Sequence, residues 1–205
     1  NDAIADDAAK VFDFLQHTHR HFECRELIVS PYFMRDFFVA KIEREIRNAE
    51  RGKPAYIYAK FNSLTDEDMI YELYRASMAG VEVRLIVRGA CCLMPGVEGL
   101  SEHIRAISIV DKFPEHARII IFGNGGDEQA YIASADWMAR NLNRRVEVGV
   151  PILDKELRRT LRDFFDIQWA DTEKARDLSN FAENRYVEAP AGTPQVRAQE
   201  AIYEY

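Results

Sequence analysis

Hydrophobic positions follow two alternating patterns along the chain. Short apolar runs, the length of buried strands, alternate with longer segments whose apolar residues recur every third or fourth position, as on one face of a helix. The predicted strands are 26–30, 55–61, 81–87, 104–110, 118–122, 130–134 and 145–151. The predicted helices are 5–16, 33–50, 65–79, one that Asp154 caps, and one within 193–205. Residues 171–192 are polar and predicted to be irregular.

The order of these elements predicts an α/β fold with a mixed, mostly parallel sheet flanked by helices. The clearest unit is the segment from strand 55–61 to strand 81–87. Between them a helix begins at the capping pair Thr65 and Asp68 and ends before Gly80. This spacing is typical of a parallel β-α-β unit.

Several conspicuous patterns have a structural interpretation. The run Gly123-Asn124-Gly125-Gly126 lacks the GxxxxGK[ST] pattern and precedes a strand, so it predicts a hairpin turn rather than a phosphate-binding loop. The aromatic residues within 32–38 are predicted to be core. His17, His19 and His21 alternate, which suggests either a metal site or, as the simpler interpretation, an exposed polar segment.

Composition narrows the class of protein. The 205 residues include 47% hydrophobic and 30% charged residues, as in a globular domain, and no apolar stretch reaches the length of a membrane span. Three cysteines fit a reducing cytosol, and neither a CxxC nor an HExxH motif indicates zinc. The acidic residues that follow Asn1 do not resemble a signal peptide. Both ends of the sequence look cut, so we expect a piece of a larger protein.

A net charge of −7 argues against a broad surface for nucleic acid, yet cationic residues gather where strands begin or end. Open α/β sheets bind ligands beyond the carboxyl ends of their strands. The candidates are Lys60, Arg88, His116, Arg118, Ser134, Asp136, Arg140, Arg144 and Arg145. Arginines grouped in this way can hold phosphates through paired hydrogen bonds. The alternative is that they are solvated or pair with Asp111, Glu115 and Asp136.

His116 offers the most reactive chemistry of this set. At the start of a strand, alternation would place His116 and Arg118 on one face. An imidazole that titrates near neutral pH, beside a cation, could donate a proton or bind a phosphate oxygen. The competing interpretation is a purely structural histidine, and His103 has no distinguishing context.

Motifs along nearly the whole chain resemble the bacterial polyphosphate kinase family. The motifs that carry this resemblance are Ser30-Pro31, Lys60–Leu64, Val87–Gly96, Ile104–Val110, Glu115–Arg118, Phe122–Gly126, Ser134–Met138, Arg140–Val148, Asn184–Val187 and Val196–Tyr203. The resemblance implies the last of four domains, with a phospholipase-D-like fold. It assigns 1–188 to that domain and 189–205 to its truncated tail helix.

The family resemblance also implies a reaction. Such enzymes move the terminal phosphate of ATP reversibly onto polyphosphate through a phosphohistidine, assisted by Mg²⁺ whose ligands would lie mostly outside this chain. The phosphorylated histidine belongs to the preceding domain, so this chain alone is expected to be inactive. The implied partners are ATP or ADP, polyphosphate, the preceding domains and further copies in a homo-oligomer, with no nucleic acid. The implied location is the cytoplasm, with membrane association of the parent protein left open.

Individual roles come from the same resemblance. His116 matches a family histidine with a nucleotide-binding or acid–base role, and Glu147 matches an acidic residue near that histidine; the resemblance implies these two as the catalytic residues. Arg88 matches an arginine that contacts ATP phosphates. The other matching positions are proposed to line the polyphosphate path: Lys60, Arg118, Ser134, Asp136 and Arg144.

Two other functions compete with this one. A phospholipase D half-site needs H-x-K-x4-D, but Arg118 and Gly123 stand where the lysine and aspartate belong, which disfavours a free-standing nuclease or lipase. A module that binds nucleotide or polyphosphate without transferring phosphate remains the main alternative.

Overall fold

Eight strands and six α-helices make up the described part of a computed structural model, which covers residues 1–17, 22–179 and 183–205. The strands are β1 (Ile28–Ser30), β2 (Tyr56–Phe61), β3 (Glu82–Val87), β4 (Ile104–Ile109), β5 (Ile119–Phe122), β6 (Gln129–Ala133), β7 (Glu147–Pro151) and β8 (Ala175–Asp177). The helices are α1 (Asp2–Gln16), α2 (Met34–Glu50), α3 (Glu67–Met78), α4 (Ala139–Asn143), α5 (Lys155–Trp169) and α6 (Ala198–Glu204).

All eight strands form one mixed sheet in the order β1-β7-β6-β5-β2-β3-β4-β8. The predicted α/β class with a mixed sheet and flanking helices is confirmed, and β2-α3-β3 is the predicted parallel unit. The expected predominance of parallel pairs is wrong. In the described residues only β2–β3 and β3–β4 are parallel, because β5 to β7 follow one another as antiparallel neighbours and both edge strands also pair antiparallel.

Alternation along the strands divides the core between two faces. On β2, Ile57, Ala59 and Phe61 face the core that α2 and α3 cover, while Tyr58 faces α5 and packs on Phe165. Lys60, two residues beyond Tyr58, therefore points to the α5 face. Helix α1 covers the edge, with Val11 packed in a smaller cluster that includes Val29.

Several element boundaries in the structure differ from the predicted ones. Helix α3 is capped by Asp66 rather than Thr65, and Gly80 follows it with φ +85°, as predicted for a helix end. The turn at Gly123 joins the antiparallel strands β5 and β6, which confirms the hairpin. Strand β5 begins at Ile119, so His116 lies in the preceding loop and not in a strand.

The remaining differences concern the second half of the chain. Helix α4 was not predicted, strand β8 lies in the segment predicted to be irregular, and the last helix is shorter than 193–205. His19 and His21 lie outside the described residues. No helix among the described residues is long and apolar enough to cross a membrane.

Candidate functional site

The strand directions bring the predicted site residues to one edge of the sheet. Strands β2 and β3 end there in parallel, whereas β5 begins there, since Lys60 pairs in register with Ile119. By the same rule β1 ends where β7 begins, because Ser30 pairs with Glu147. This edge therefore carries Lys60, Arg88, His116, Arg118, Ser134, Asp136 and Glu147.

Arg88 and His116 meet across this edge. The Arg88 Nη2 lies 3.4 Å from Nδ1 of His116, although 28 residues separate them. A guanidinium can only donate hydrogen bonds, so Nδ1 is the acceptor, and a neutral His116 ring then carries its proton on Nε2. Arg88 is half-buried and His116 is exposed, which leaves the pair open to a ligand from outside.

Asp136 ties three segments together beneath that pair. Its carboxylate accepts the backbone N–H of Asn62 at 2.7 Å and of Ser63 at 3.3 Å, and Arg118 grips it with two nitrogens at 3.2 Å each. Burial alone would raise the pKa of Asp136, but Arg118 and the Asn62 N–H outweigh burial and lower it. The pairing of Arg118 with Asp136 is the alternative that the sequence left open, and their role in binding phosphate stays a prediction.

Lys60 is almost fully buried, with 1% of its side chain exposed, and its Nζ donates to Glu115 at 2.5 Å. Burial lowers the pKa of Lys60, while the Glu115 carboxylate acts in the opposite direction. Arg118 Nη1 also donates to the backbone oxygen of His116 at 3.2 Å. Buried Lys60 and half-buried Arg118 thus hold the loop that carries His116.

Glu147 sits in a separate polar network on the same edge. It is buried and accepts hydrogen bonds from the Ser134 hydroxyl and, at 2.6 Å, from the Asn141 amide. Ser134 Oγ in turn accepts the Val148 N–H at 3.1 Å, and Ser30 donates to the Asn141 backbone oxygen at 2.5 Å. The predicted catalytic role of Glu147 stays a prediction. In the structure, the Glu147 carboxylate fixes the side chains of Ser134 and Asn141 through hydrogen bonds.

Three arginines near this edge have no partner among the described residues. Arg140, Arg144 and Arg145 are exposed, and their guanidinium groups form no hydrogen bond or ion pair with another described side chain. Asp111 and Glu115, suggested as their partners, are occupied instead by Arg197 and Lys60. The arrangement therefore leaves positive charge available for an anionic ligand.

The carboxylates of this edge do not make a Mg²⁺ site. Asp136, Glu147 and Glu115 each accept hydrogen bonds from protein donors, so their oxygens are already engaged. Across the described ranges, no group of three or more histidine, cysteine, aspartate or glutamate side chains could hold a metal ion. These residues do not fit a magnesium ion held by this chain alone.

Sequence reasoning missed three residues that organise the site. The sequence places Glu115 in a family motif and suggests it as a partner of an arginine, and it places Asn141 and Gln199 in two further motifs, with no role for any of the three in the site. Each acts through a partner distant in sequence: Gln199 contacts Glu115 across 84 residues. No local pattern signals such a contact.

Comparison with known proteins decides the family. Residues 27–199 match the family model for polyphosphate kinase C-terminal domain 2. The chain belongs to the polyphosphate kinase family. It is 46% identical over 203 residues to the polyphosphate kinase of Escherichia coli K12, covering 98% of this chain and 29% of that protein. The relative from Vibrio cholerae is 43% identical over 205 residues, with 100% of this chain and 29% of that protein covered.

Solved structures agree with this assignment. The crystal structure of polyphosphate kinase from Porphyromonas gingivalis matches with a TM-score of 0.95 and 43% identity, covering 100% of this chain and 31% of that one. The phospholipase D family member Nuc from Salmonella typhimurium matches with a TM-score of 0.55 and 16% identity over 76% of this chain and 97% of its own. The second likeness is one of fold alone, and it confirms the predicted phospholipase-D-like architecture. The chain spans about three tenths of the length of these polyphosphate kinases.

Proposed function

We propose that this chain supplies one half of an active site that transfers the γ-phosphate of ATP reversibly to polyphosphate. The observation that carries the proposal is the pair of Arg88 and His116, 3.4 Å apart at an open sheet edge. A fixed cation beside an imidazole suits a reaction in which negative charge spreads over phosphate oxygens. Membership in the polyphosphate kinase family supports the same choice of substrate.

The proposed reaction has two steps, both using a histidine of the preceding domain. In the first, that histidine forms a P–N bond to the γ-phosphorus, the bond from phosphorus to the bridging oxygen breaks, and ADP leaves. In the second, a terminal oxygen of polyphosphate forms a P–O bond as the P–N bond breaks. Arg88 holds the transferring phosphate, and His116 donates a hydrogen bond or proton to the leaving oxygen.

Other residues have supporting parts in this proposal. Arg144 and its exposed neighbours attract the polyanion, while Lys60, Arg118, Ser134 and Asp136 shape the path along the edge. Mg²⁺ would take its ligands mostly from outside this chain, because the carboxylates here are occupied by protein donors. We also propose that the parent protein is cytoplasmic and homo-oligomeric.

The test is kinetic, in a polypeptide that spans the full length of the relatives. His116→Ala should lower kcat for polyphosphate synthesis by about 100-fold, as expected when a general acid is lost. Arg88→Ala should lower kcat/KM for ATP by about 100-fold. His103→Ala and Arg105→Ala are matched controls, because both residues are exposed and lie outside this edge. Turnover of His116→Ala at the wild-type rate would overturn the proposed role.

A binding module without phosphate transfer is the second candidate, because the phosphorylated histidine is implied to lie outside this chain. Incubating the 205-residue chain with ATP and Mg²⁺ should give no polyphosphate, while polyphosphate should still bind to it. Robust synthesis by the chain alone would contradict the half-site. Absence of synthesis by the full-length polypeptide would favour the binding module.

A further inference from the structure

The loop that carries His116 has almost no backbone support. Strands β4 and β5 are not neighbours, since β3 and β2 lie between them, so the connecting residues 110–118 cross the edge of the sheet. Between Asp111 and Ala117, no backbone–backbone hydrogen bond joins the loop to another described residue. Side chains must therefore fix where His116 lies.

The start of α6 supplies one side of that support through Gln199. Its Oε1 accepts the Phe113 N–H at 3.1 Å, and its Nε2 donates to the Phe113 oxygen at 2.8 Å. A side-chain amide here imitates the hydrogen-bonding partner that a neighbouring strand would provide. The same Nε2 donates to Glu115 at 2.8 Å, and Glu115 is the residue directly before His116.

Glu115 is held from both sides. Gln199 contacts one carboxylate oxygen, and buried Lys60 contacts the other at 2.5 Å. The backbone of His116 then accepts from Arg118, and its ring meets Arg88. The position of the imidazole thus depends on a chain of contacts that begins in α6.

A second contact fixes the loop at its start. Arg197 grips Asp111 with Nε at 2.9 Å and Nη2 at 2.7 Å, and only 3% of the Asp111 side chain is exposed. The Arg197 guanidinium is the main cause that lowers the pKa of Asp111. The loop is therefore attached to the tail at two points, one at each end of the segment 111–115.

The tail itself is anchored in the body of the domain. The fully buried Asp171 accepts the Ala198 N–H at 2.7 Å and also the N–H groups of residues 173–175. The Val196 oxygen accepts hydrogen bonds from the backbone N–H groups of Thr172 and Glu173, and Tyr205 packs on Phe164 of α5. A tail fixed in this way can transmit its position to the loop.

We infer that Gln199 is a positioning residue for His116, and that the docked start of α6 sets the distance between His116 and Arg88. The inference rests on the proposed function for its kinetic consequence. It goes beyond that function because the resemblance assigns no role in the site to Gln199 or to its motif Val196–Tyr203. Losing the hydrogen bonds of Gln199 to Phe113 and Glu115 should move the imidazole while leaving Arg88, which directly follows β3, in place.

The kinetic test uses the full-length polypeptide. Gln199→Ala should lower kcat about 10- to 100-fold, the loss expected when a reacting group is misplaced by about an ångström, with KM for ATP near its wild-type value because Arg88 keeps its place. Glu204→Gln is the matched control, since Glu204 is exposed on the same helix and its carboxylate forms no hydrogen bond or ion pair with another described residue. It should leave kcat unchanged.

A double-mutant cycle separates positioning from general damage. If Gln199 acts through His116, Gln199→Ala should cost little further activity in a His116→Ala background. Losses that multiply would show that Gln199 acts independently of His116 and would overturn the inference. Should Gln199→Ala fail to fold, Gln199→Glu keeps the size of the side chain, removes its donors and gives the same comparison.

A spectroscopic measurement tests the inference without relying on activity. In the isotopically labelled 205-residue chain, Gln199→Ala should shift the imidazole resonances of His116 and leave those of His103 in place. Unchanged His116 resonances would overturn the inference. If instead His116→Ala retains full turnover while these resonances shift, the proposed function fails and the positioning stands.

Discussion

Arg118 and Asp136 form a two-point ion pair, with Nε to Oδ1 and Nη2 to Oδ2 both at 3.2 Å, at the edge of the sheet where the candidate residues gather. Little of either side chain reaches solvent, 14% for Arg118 and 8% for Asp136. The same carboxylate holds the backbone after β2, and the same guanidinium holds the backbone of His116. One pair therefore links two loops of the site.

Removing the charge of Asp136 should destabilise the domain. Asp136→Asn leaves the buried Arg118 cation without its counter-ion, so the free energy of unfolding should fall by about 3 kcal/mol, measured by urea denaturation. Asp68→Asn is the control, because Asp68 is 80% exposed although it also pairs with an arginine, and it should cost less than about 1 kcal/mol. Equal losses for both variants would contradict the structural role of Asp136.

The Lys60–Glu115 pair should show an asymmetric response. Glu115→Gln leaves a cation that is 1% exposed without its carboxylate, and should lower the free energy of unfolding by about 3 kcal/mol. Lys60→Met should cost less, because Glu115 keeps its bond to Gln199. The double variant, measured by the same denaturation, should lose less than the sum of the two. Strict additivity would show that the pair is not coupled.

Asp7 should contribute a defined part of the stability at acidic pH. Burial alone would raise the pKa of Asp7, but the N–H groups of Arg25, Glu26 and Leu27 and the ammonium of Lys10 outweigh it and lower the pKa from 3.8 to about 2. The folded state thus favours the ionised form. The resulting stabilisation, about 2 kcal/mol, is present above pH 4 and is lost as pH falls through about 2.

The measurement for Asp7 compares unfolding free energies of the parent and Asp7→Asn between pH 6 and pH 2, a range chosen to span the pKa values of about 4 and about 2. The difference between the two proteins should shrink as pH falls through that window. Asp2→Asn serves as control, because Asp2 is exposed on the same helix. A difference that stays constant with pH would contradict the lowered pKa.

Glu147→Gln should disturb Ser134 and Asn141 together. The amide of the new glutamine has only one acceptor atom, so its NH₂ group would face either the Ser134 or the Asn141 donor. The free energy of unfolding should therefore fall by about 1–3 kcal/mol. Ser134→Ala removes one of the same bonds, so the double variant should lose less than the sum in calorimetry or urea denaturation. Exposed Glu98 gives the control, Glu98→Gln. Independent effects would argue that Glu147 does not act through Ser134.

Local features of the sequence were sufficient for much of the fold. The periodicity of 33–50 and of 81–87 predicted α2 and β3 to within a residue, because a buried helix face and a buried strand impose their own spacing. The short helix α4 escaped prediction, since Ala139–Asn143 is too short to show a helical period. Apart from the β5–β6 hairpin, the antiparallel pairs of the sheet also escaped prediction, because pairing direction depends on which strands become neighbours.

Local motifs and periodicity were enough to establish the family, the α/β class and the set of charged residues at strand ends, because they do not depend on contacts between distant parts of the chain. Which charged residues pair with each other depends on the folded arrangement: Arg118 pairs with Asp136, Lys60 with Glu115 and Arg197 with Asp111. The fold also brings Gln199 to the loop of His116. Such contacts join residues far apart in the chain, and they exist only once the sheet and the tail have brought those residues together.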